Sequence, residues 1–176
     1  LPVGEIEARC TVRQQVAGGS SFLRSRQEDH LRFGPRFRPL KKLSLGSAEA
    51  LAHLQLPSEF TADLAQFGLH PGLLDIATGC AMDLIPGYAE QEVASNLWAP
   101  LMYRAFRCHA PLTAEVTSWL RLSPSSAPQN GVVAFDIVIA DPTGRVLVEV
   151  EQLTLRRIDG ALAAPASGAK AATTAE

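Results

Sequence analysis

Apolar residues recur at helical spacing between positions 73 and 85. Placed at 100° per residue, Leu73, Leu74, Ile76, Ala77, Cys80, Ala81, Leu84 and Ile85 cover more than half of the circumference, a face too wide for a surface helix. Pro71 suits the first turn, where its missing N–H has no partner to lose, and Pro86-Gly87 predicts the stop. The remaining sector holds Asp75, Thr78, Gly79 and Met82. One carboxylate thus lies on a narrow strip whose neighbour one turn on has no side chain. That strip meets either solvent or a cavity in which something small must fit.

Elsewhere the period is two. Ile6, Ala8, Cys10 and Val12 predict a strand from Glu5 to Val12, broken by Ala17-Gly18-Gly19-Ser20-Ser21. Residues 27–40 are irregular and rich in arginine and aromatics. Leu43 and Leu45, a Gly46-Ser47 turn, and alternating Ala50, Ala52, Leu54 and Leu56 predict a hairpin. Pro57-Ser58 opens a short helical turn through Phe60, Leu64 and Phe67, which Gly68 ends. Strands are expected at Leu101–Cys108, Glu115–Leu122, Val132–Ala140 and Arg145–Arg157. Asp141-Pro142-Thr143-Gly144 fits a type I turn. An apolar parity shift between Val150 and Leu153 predicts a bulge in the last strand. One long apolar helix with antiparallel strands on either side of it in sequence is an α+β layout, the hotdog fold: a long central helix wrapped by a curved antiparallel sheet. Residues 1–160 are expected to form that domain, and the Ala-rich residues 161–176 a flexible linker.

The totals narrow the function classes. With 47% hydrophobic and 19% charged residues, the 176-residue chain has the composition of one soluble globular domain. A net charge of -2 gives no electrostatic case for nucleic acid or an anionic membrane. No apolar run approaches the roughly 18–20 residues that span a bilayer, and no signal-peptide pattern opens the chain. Cys10, Cys80 and Cys108 are odd in number and widely spaced, which fits neither a disulfide framework nor a zinc site, and a reducing cytoplasm is expected. The opening Leu1-Pro2-Val3 and the linker-like tail are expected of a piece of a longer chain.

Two stretches carry a family resemblance. Leu69-His70-Pro71-Gly72-Leu73-Leu74-Asp75 resembles the LHPxLLD signature of the second hotdog in polyketide synthase dehydratase domains. Phe33-Gly34-Pro35-Arg36-Phe37 resembles the YGPxF motif that precedes it there, and Gly144–Val150 resembles the family's closing strand. The resemblance implies two fused hotdogs with the active site between them. A histidine of the first half, in an HxxxGxxxxP motif, takes the α-proton of a 3-hydroxyacyl thioester, and the aspartate of the second half protonates the departing hydroxyl. By that match Asp75 is the catalytic acid, and Phe33, Gly34, Pro35, Phe37, His70, Pro71, Thr78 and Gly79 are the expected substrate-binding residues. No cofactor of the domain's own is implied. The substrate rides on the phosphopantetheine of an acyl carrier protein, and the expected partners are that carrier, the N-terminal hotdog half and neighbouring synthase domains. A carboxyl desolvated among apolar side chains has a raised pKa and can hold the proton that this role needs.

Two positions depart from the family pattern. Gly79 stands where the family places Gln or His, one turn after the aspartate, and Phe33 replaces the tyrosine of YGPxF. A carboxylate so placed also suits a dehydratase-like isomerase or cyclase. Outside catalysis, a non-catalytic acyl-binding or dimerising hotdog fits the same pattern, and a stand-alone homodimeric thioesterase or hydratase is a further alternative. His30, Gly34 and Pro39 satisfy HxxxGxxxxP by spacing, but Gly34-Pro35 belongs to the other motif and charged Arg36 and Arg38 intervene, so the base is expected on a hotdog absent from this chain. The plainer readings are an exposed acid near a helix N-terminus for Asp75, a turn-fixing residue for His70 and a small core residue for Cys80. His53 and His109 read as structural, and Trp98 and Tyr103 either border the acyl tunnel or, the plainer reading, serve packing. Arg36, Arg38, Lys41 and Lys42 form either a carrier-binding patch or a solvated basic loop.

Overall fold

A computed structural model describes residues 1–88 and 97–158. Within them, eight strands form one antiparallel sheet. In chain order they are β1 (Arg13–Val16), β2 (Leu40–Leu45), β3 (Glu49–Gln55), β4 (Trp98–Met102), β5 (Ala105–Cys108), β6 (Glu115–Leu122), β7 (Val132–Ala140) and β8 (Val146–Arg157). The sheet order is β1-β2-β3-β6-β7-β8-β4, with β5 also on β8. Two helices, α1 (Val3–Arg9) and α2 (Pro71–Gly79), pack on it. The expected linker, residues 161–176, lies outside the described residues.

The hairpin β2–β3 and the strands β6 and β7 fall where period-two alternation put them. α2 packs on β3 and β6, and Ala50, Ala52, Leu54, Val116, Leu120, Ile137 and Ile139 are buried in the same cluster as Leu73, Ile76 and Ala77. Small Ala50 and Ala52 let the helix approach closely, and the buried Ser118 hydroxyl donates to the Ala77 carbonyl at 2.7 Å, so a polar group on the inner face is satisfied by the helix backbone. Fully burying Leu73 and Ile76 stabilises the layer by about 1.5–3 kcal/mol each.

Four expectations need correction. First, residues 3–9 are helical. Ile6 and Cys10, four residues apart, share one buried face against Leu51, whereas Val12, which a strand would bury, is 72% exposed. Glu5 in the first turn and Arg9 in the last complement the helix dipole. The Arg9 guanidinium also pairs with Glu49 at 2.8 Å.

Second, the central helix is shorter than its apolar face. α2 ends at Gly79, and a single 3₁₀ turn at Met82–Leu84 follows. Glycine is a poor helix former, and the Thr78 hydroxyl is bonded to the carbonyls of Leu74 and Asp75, a local competitor of helical continuation. The apolar residues beyond, Ala81, Met82, Leu84 and Ile85, are nonetheless buried.

Third, Leu101–Cys108 is two strands. β8 bulges where Phe135 pairs with Leu153 but Ile137 with Val150, as the parity shift predicted. β4 pairs beyond the bulge and β5 before it, and the edge breaks between them, where Arg104 N–H donates to the Glu151 carbonyl. Fourth, the last strand begins at Val146, after the Asp141–Gly144 turn closed by the Gly144 N–H to the Asp141 carbonyl.

Candidate active site

The site is assembled where the start of α2 meets the Phe33–Phe37 segment. His70 is the N-cap of α2: its imidazole is 1% exposed, and Nδ1 accepts from the Leu73 backbone N–H at 3.3 Å. Its Nε2 faces the Asp63 carboxylate at 3.5 Å. Pro71 follows at the first helical position, with its ring exposed. Of the two roles open to His70, capping is therefore the one its contacts serve. Pro35–Phe37 forms a 3₁₀ turn capped by Gly34. The Phe33 and Phe37 rings are 5.6 Å apart, and Phe33 packs on the main core. Gly72 seats α2 directly on this turn, because its position leaves no room for a side chain beside the Arg36 carbonyl. The two motifs are thus one structural unit.

Asp75 sits on the second turn of α2, half-buried. Burial alone raises its pKa above the ordinary carboxylate value. Among the described residues no cation pairs with it and no hydrogen bond reaches its carboxyl. Such a group holds a proton more readily than a solvated aspartate and has no internal ion to surrender it to. Thr78, one turn on, is half-buried, and its hydroxyl is committed to the helix carbonyls of Leu74 and Asp75. Gly79 is buried.

The space above Gly79 is filled by a residue that motif reasoning passes over. A β-carbon on Gly79 would stand 2.4 Å from Gln27 Nε2 and 2.9 Å from its Cδ. Gln27 lies in a 3₁₀ turn, Arg26–Asp29, opened by a Ser25–Glu28 capping box. The pattern Ser-x-x-Glu at 25–28 is the readable trace of that turn, though nothing in it says what the turn packs against. Glu28 is held further by Arg38 at 2.9 Å. Asp83, in the turn after α2, pairs with Arg26 and Arg13.

His30 closes the same turn. Its Nε2 is buried without a hydrogen-bond partner among the described residues. A cavity of about 610 Å³ opens beside Phe33, bordered by Phe22, Leu31, Arg32 and Arg38; Asp75 does not line it. The other histidines are engaged away from the site. His109 Nε2 is 2.7 Å from Glu149. His53 is bonded to Thr117, and burial lowers its pKa. Cys80 is a core residue whose thiol burial pushes up to about 12. Trp98 is buried and Tyr103 is 55% exposed. Arg36 pairs with Asp63 and Arg38 with Glu28, so both are partly neutralised. No helix among the described residues is long and apolar enough to cross a membrane.

Comparison with known proteins bears on the family and the fold. The family model described as the polyketide synthase dehydratase N-terminal domain matches residues 2–165. Polyketide synthase PksM of Bacillus subtilis (strain 168) is 28% identical over 131 residues, 74% of this chain and 3% of that protein. Polyketide synthase GfsE of Streptomyces halstedii is 28% identical over 126 residues, 72% of this chain and 3% of that protein. Among solved structures, a trans-AT PKS dehydratase domain from Brevibacillus brevis superposes with a TM-score of 0.73 at 24% identity, covering 90% of this chain and 53% of that one. The dehydratase domain of RzxB from Pseudomonas fluorescens gives a TM-score of 0.65 at 25% identity, covering 82% and 54%. The fold is therefore that of the dehydratase hotdogs, and the chain spans about half the length of these solved domains. The chain belongs to the polyketide synthase dehydratase family.

Proposed function

We propose that this chain is the second hotdog of a double-hotdog dehydratase and supplies its acid, Asp75. The matching family model takes its description from the N-terminal domain; the assignment to the second half rests on Leu69–Asp75 and Phe33–Phe37. The substrate would be a 3-hydroxyacyl thioester carried on the phosphopantetheine of an acyl carrier protein. A histidine of the first hotdog takes the α-proton, the α,β double bond forms as the C–O bond breaks, and Asp75 gives its proton to the leaving hydroxyl. Water departs and an enoyl thioester remains, with Asp75 ionised until it recovers a proton.

The observation that carries this reading is the state of Asp75: half-buried, raised in pKa by burial alone and free of any described counter-ion. General acid catalysis needs a carboxyl that is protonated at working pH. The exposed flank of Asp75 is the side that the first hotdog would cover. Phe33, Gly34, Pro35 and Phe37 would then border the acyl path, with His70 and Pro71 setting the angle of α2 and Thr78 and Gly79 forming its next turn. The same carboxylate would serve an isomerase or a cyclase. The empty Gly79 position, which favours that alternative, is covered by the Gln27 carboxamide.

The test is Asp75→Asn in the complete dehydratase, assayed by mass spectrometry on a carrier-bound 3-hydroxyacyl substrate. Loss of about 10²–10⁴-fold in turnover is expected for removal of a general acid, and undiminished turnover overturns the assignment. This chain alone is expected to be inactive. Dehydration by it alone would give the base role to His30.

A further inference from the structure

We infer that Gln27, reaching in from outside the helix, is the residue that positions the Asp75 carboxyl. The inference rests on Asp75 being the acid, as proposed above. Side chains four apart on a helix are neighbours, with β-carbons about 5–6 Å apart. The place of the missing Gly79 β-carbon is thus next to Asp75, and Gln27 Nε2 stands 2.4 Å from that place. The carboxamide is not there by chance of an exposed rotamer. Ser25, 4% exposed, donates from its hydroxyl to Gln27 Oε1 at 3.3 Å, which turns the amide nitrogen away from Ser25. Ser25 is itself fixed by the capping box with Glu28.

Two complementary groups result: the carboxamide over Gly79 and the Asp75 carboxyl, one turn before Gly79 on α2. Gln27 Nε2 has two N–H donors and no acceptor among the described residues. The Asp75 carboxyl has lone pairs and no donor among them. Hydrogen bonds of catalytic groups are often long before substrate binds and tighten in the complex, so a rotamer change at either side chain completes this one. Gly79 is part of the same device. Any side chain there would collide with the carboxamide and expel it, so glycine at 79 and glutamine at 27 form a matched pair.

A donor to a carboxylate favours its charged form, which gives Gln27 a signature that a packing residue lacks. Gln27→Met keeps the volume and removes the donor. In the complete dehydratase this variant is expected to lose about 10–100-fold in kcat/KM, with the alkaline limb of the pH–rate profile, where Asp75 loses its proton, moved upward. A carboxyl-carbon NMR titration of the same protein should place the Asp75 pKa higher than in the parent. The double variant Gln27→Ala with Gly79→Gln offers a carboxamide from the helix itself and should recover most of the lost turnover. Gly79→Gln alone should fall below the parent, because its side chain and the Gln27 carboxamide compete for one space. If Asp75→Asn is inactive while Gln27→Met changes neither turnover nor the titration, Gln27 has no positioning role and the acid assignment stands. If Asp75→Asn remains active, the dehydratase reading of Asp75 falls and the titration alone decides Gln27: a pKa unmoved by Gln27→Met overturns the contact.

Discussion

Gly72 lies so close to Arg36 that a β-carbon on it would stand 2.1 Å from the Arg36 carbonyl oxygen and 2.9 Å from its carbonyl carbon. The neighbour is backbone, not the far end of a flexible side chain, so neither partner can yield cheaply. This contact ties the first turn of α2 to the 3₁₀ turn at Pro35–Phe37 and fixes Asp75 relative to Phe33. Gly72→Ala should therefore cost about 1–3 kcal/mol, the usual range for overpacking, lowering Tm by about 2–4 °C per kcal/mol. Thermal unfolding followed by circular dichroism measures it. An unchanged Tm would mean that the two turns slide apart freely.

The bulge in β8 is held by one carboxylate. Gln152 has φ of 53°, a left-handed conformation that non-glycine residues adopt at a cost, and its backbone N–H donates to Asp136 Oδ1 at 3.0 Å. Asp136 thus supplies the acceptor that the interrupted ladder withdraws. Asp136→Ala should cost about 1.5–3 kcal/mol, the range for a hydrogen bond to a charged group. Faster amide exchange at Gln152 and its neighbours in the variant would locate the effect at the bulge. Uniform exchange across β8 would show that the bulge is held by its side-chain bonds to Ser123 and Ser125 instead.

These particulars separate what a sequence reveals from what it hides. Alternation located β3, β6 and β7 because one face of each is buried in the core that contains α2, so every second residue is under the same constraint. Gln152 was foreshadowed because a bulge must shift the parity of its own strand. The break between β4 and β5 had no such local cause: it answers a bulge in a different strand, paired only in three dimensions. In residues 3–9, Ile6 and Cys10 satisfy periods of two and of four equally, and only the packing against Leu51 decides between them. The early end of α2 is a contest between a continuous apolar face and two local opponents, Thr78 and Gly79, which the face does not record. The proposed acid, Asp75, is nominated by a contiguous motif. Gln27 is not, because its relation to Gly79 spans 52 positions of sequence (79 − 27) and exists only as filled space.

The three cysteines should react in an order set by burial. Cys108 is exposed. Cys10 and Cys80 are 2% and 1% exposed; burial raises both thiols, that of Cys80 to about 12. Thiolate is the reactive form, so a thiol reagent at pH 8 should modify Cys108 promptly in the native protein and the other two only after denaturation. Prompt loss of all three thiols would mean that the layers under α1 and α2 both open readily. Cys80→Ala should leave the prompt phase unchanged, whereas Cys108→Ser should abolish it.

The raised pKa of Asp75 makes it a stability liability with a definite pH window. The native carboxyl binds its proton more tightly than the unfolded one, whose ordinary value is 3.8. Between the two values the native state retains a proton that the unfolded state has released. Stability therefore falls as pH rises through that window, and the cost is fully present once the native carboxyl ionises. The salt-bridged acids run the other way: Arg9 beside Glu49, Lys42 beside Glu7 and Arg107 beside Glu151 lower those pKa values, so their contribution is lost as pH falls. Comparing two proteins at each pH cancels these shared terms. Asp75→Asn should be more stable than the parent at pH 7, and the difference should vanish below the ordinary carboxylate range, at about pH 3. Urea unfolding of both proteins at the two pH values measures it. A variant less stable than its parent at pH 7 would mean that the native carboxylate is held by a donor strong enough to outweigh its burial.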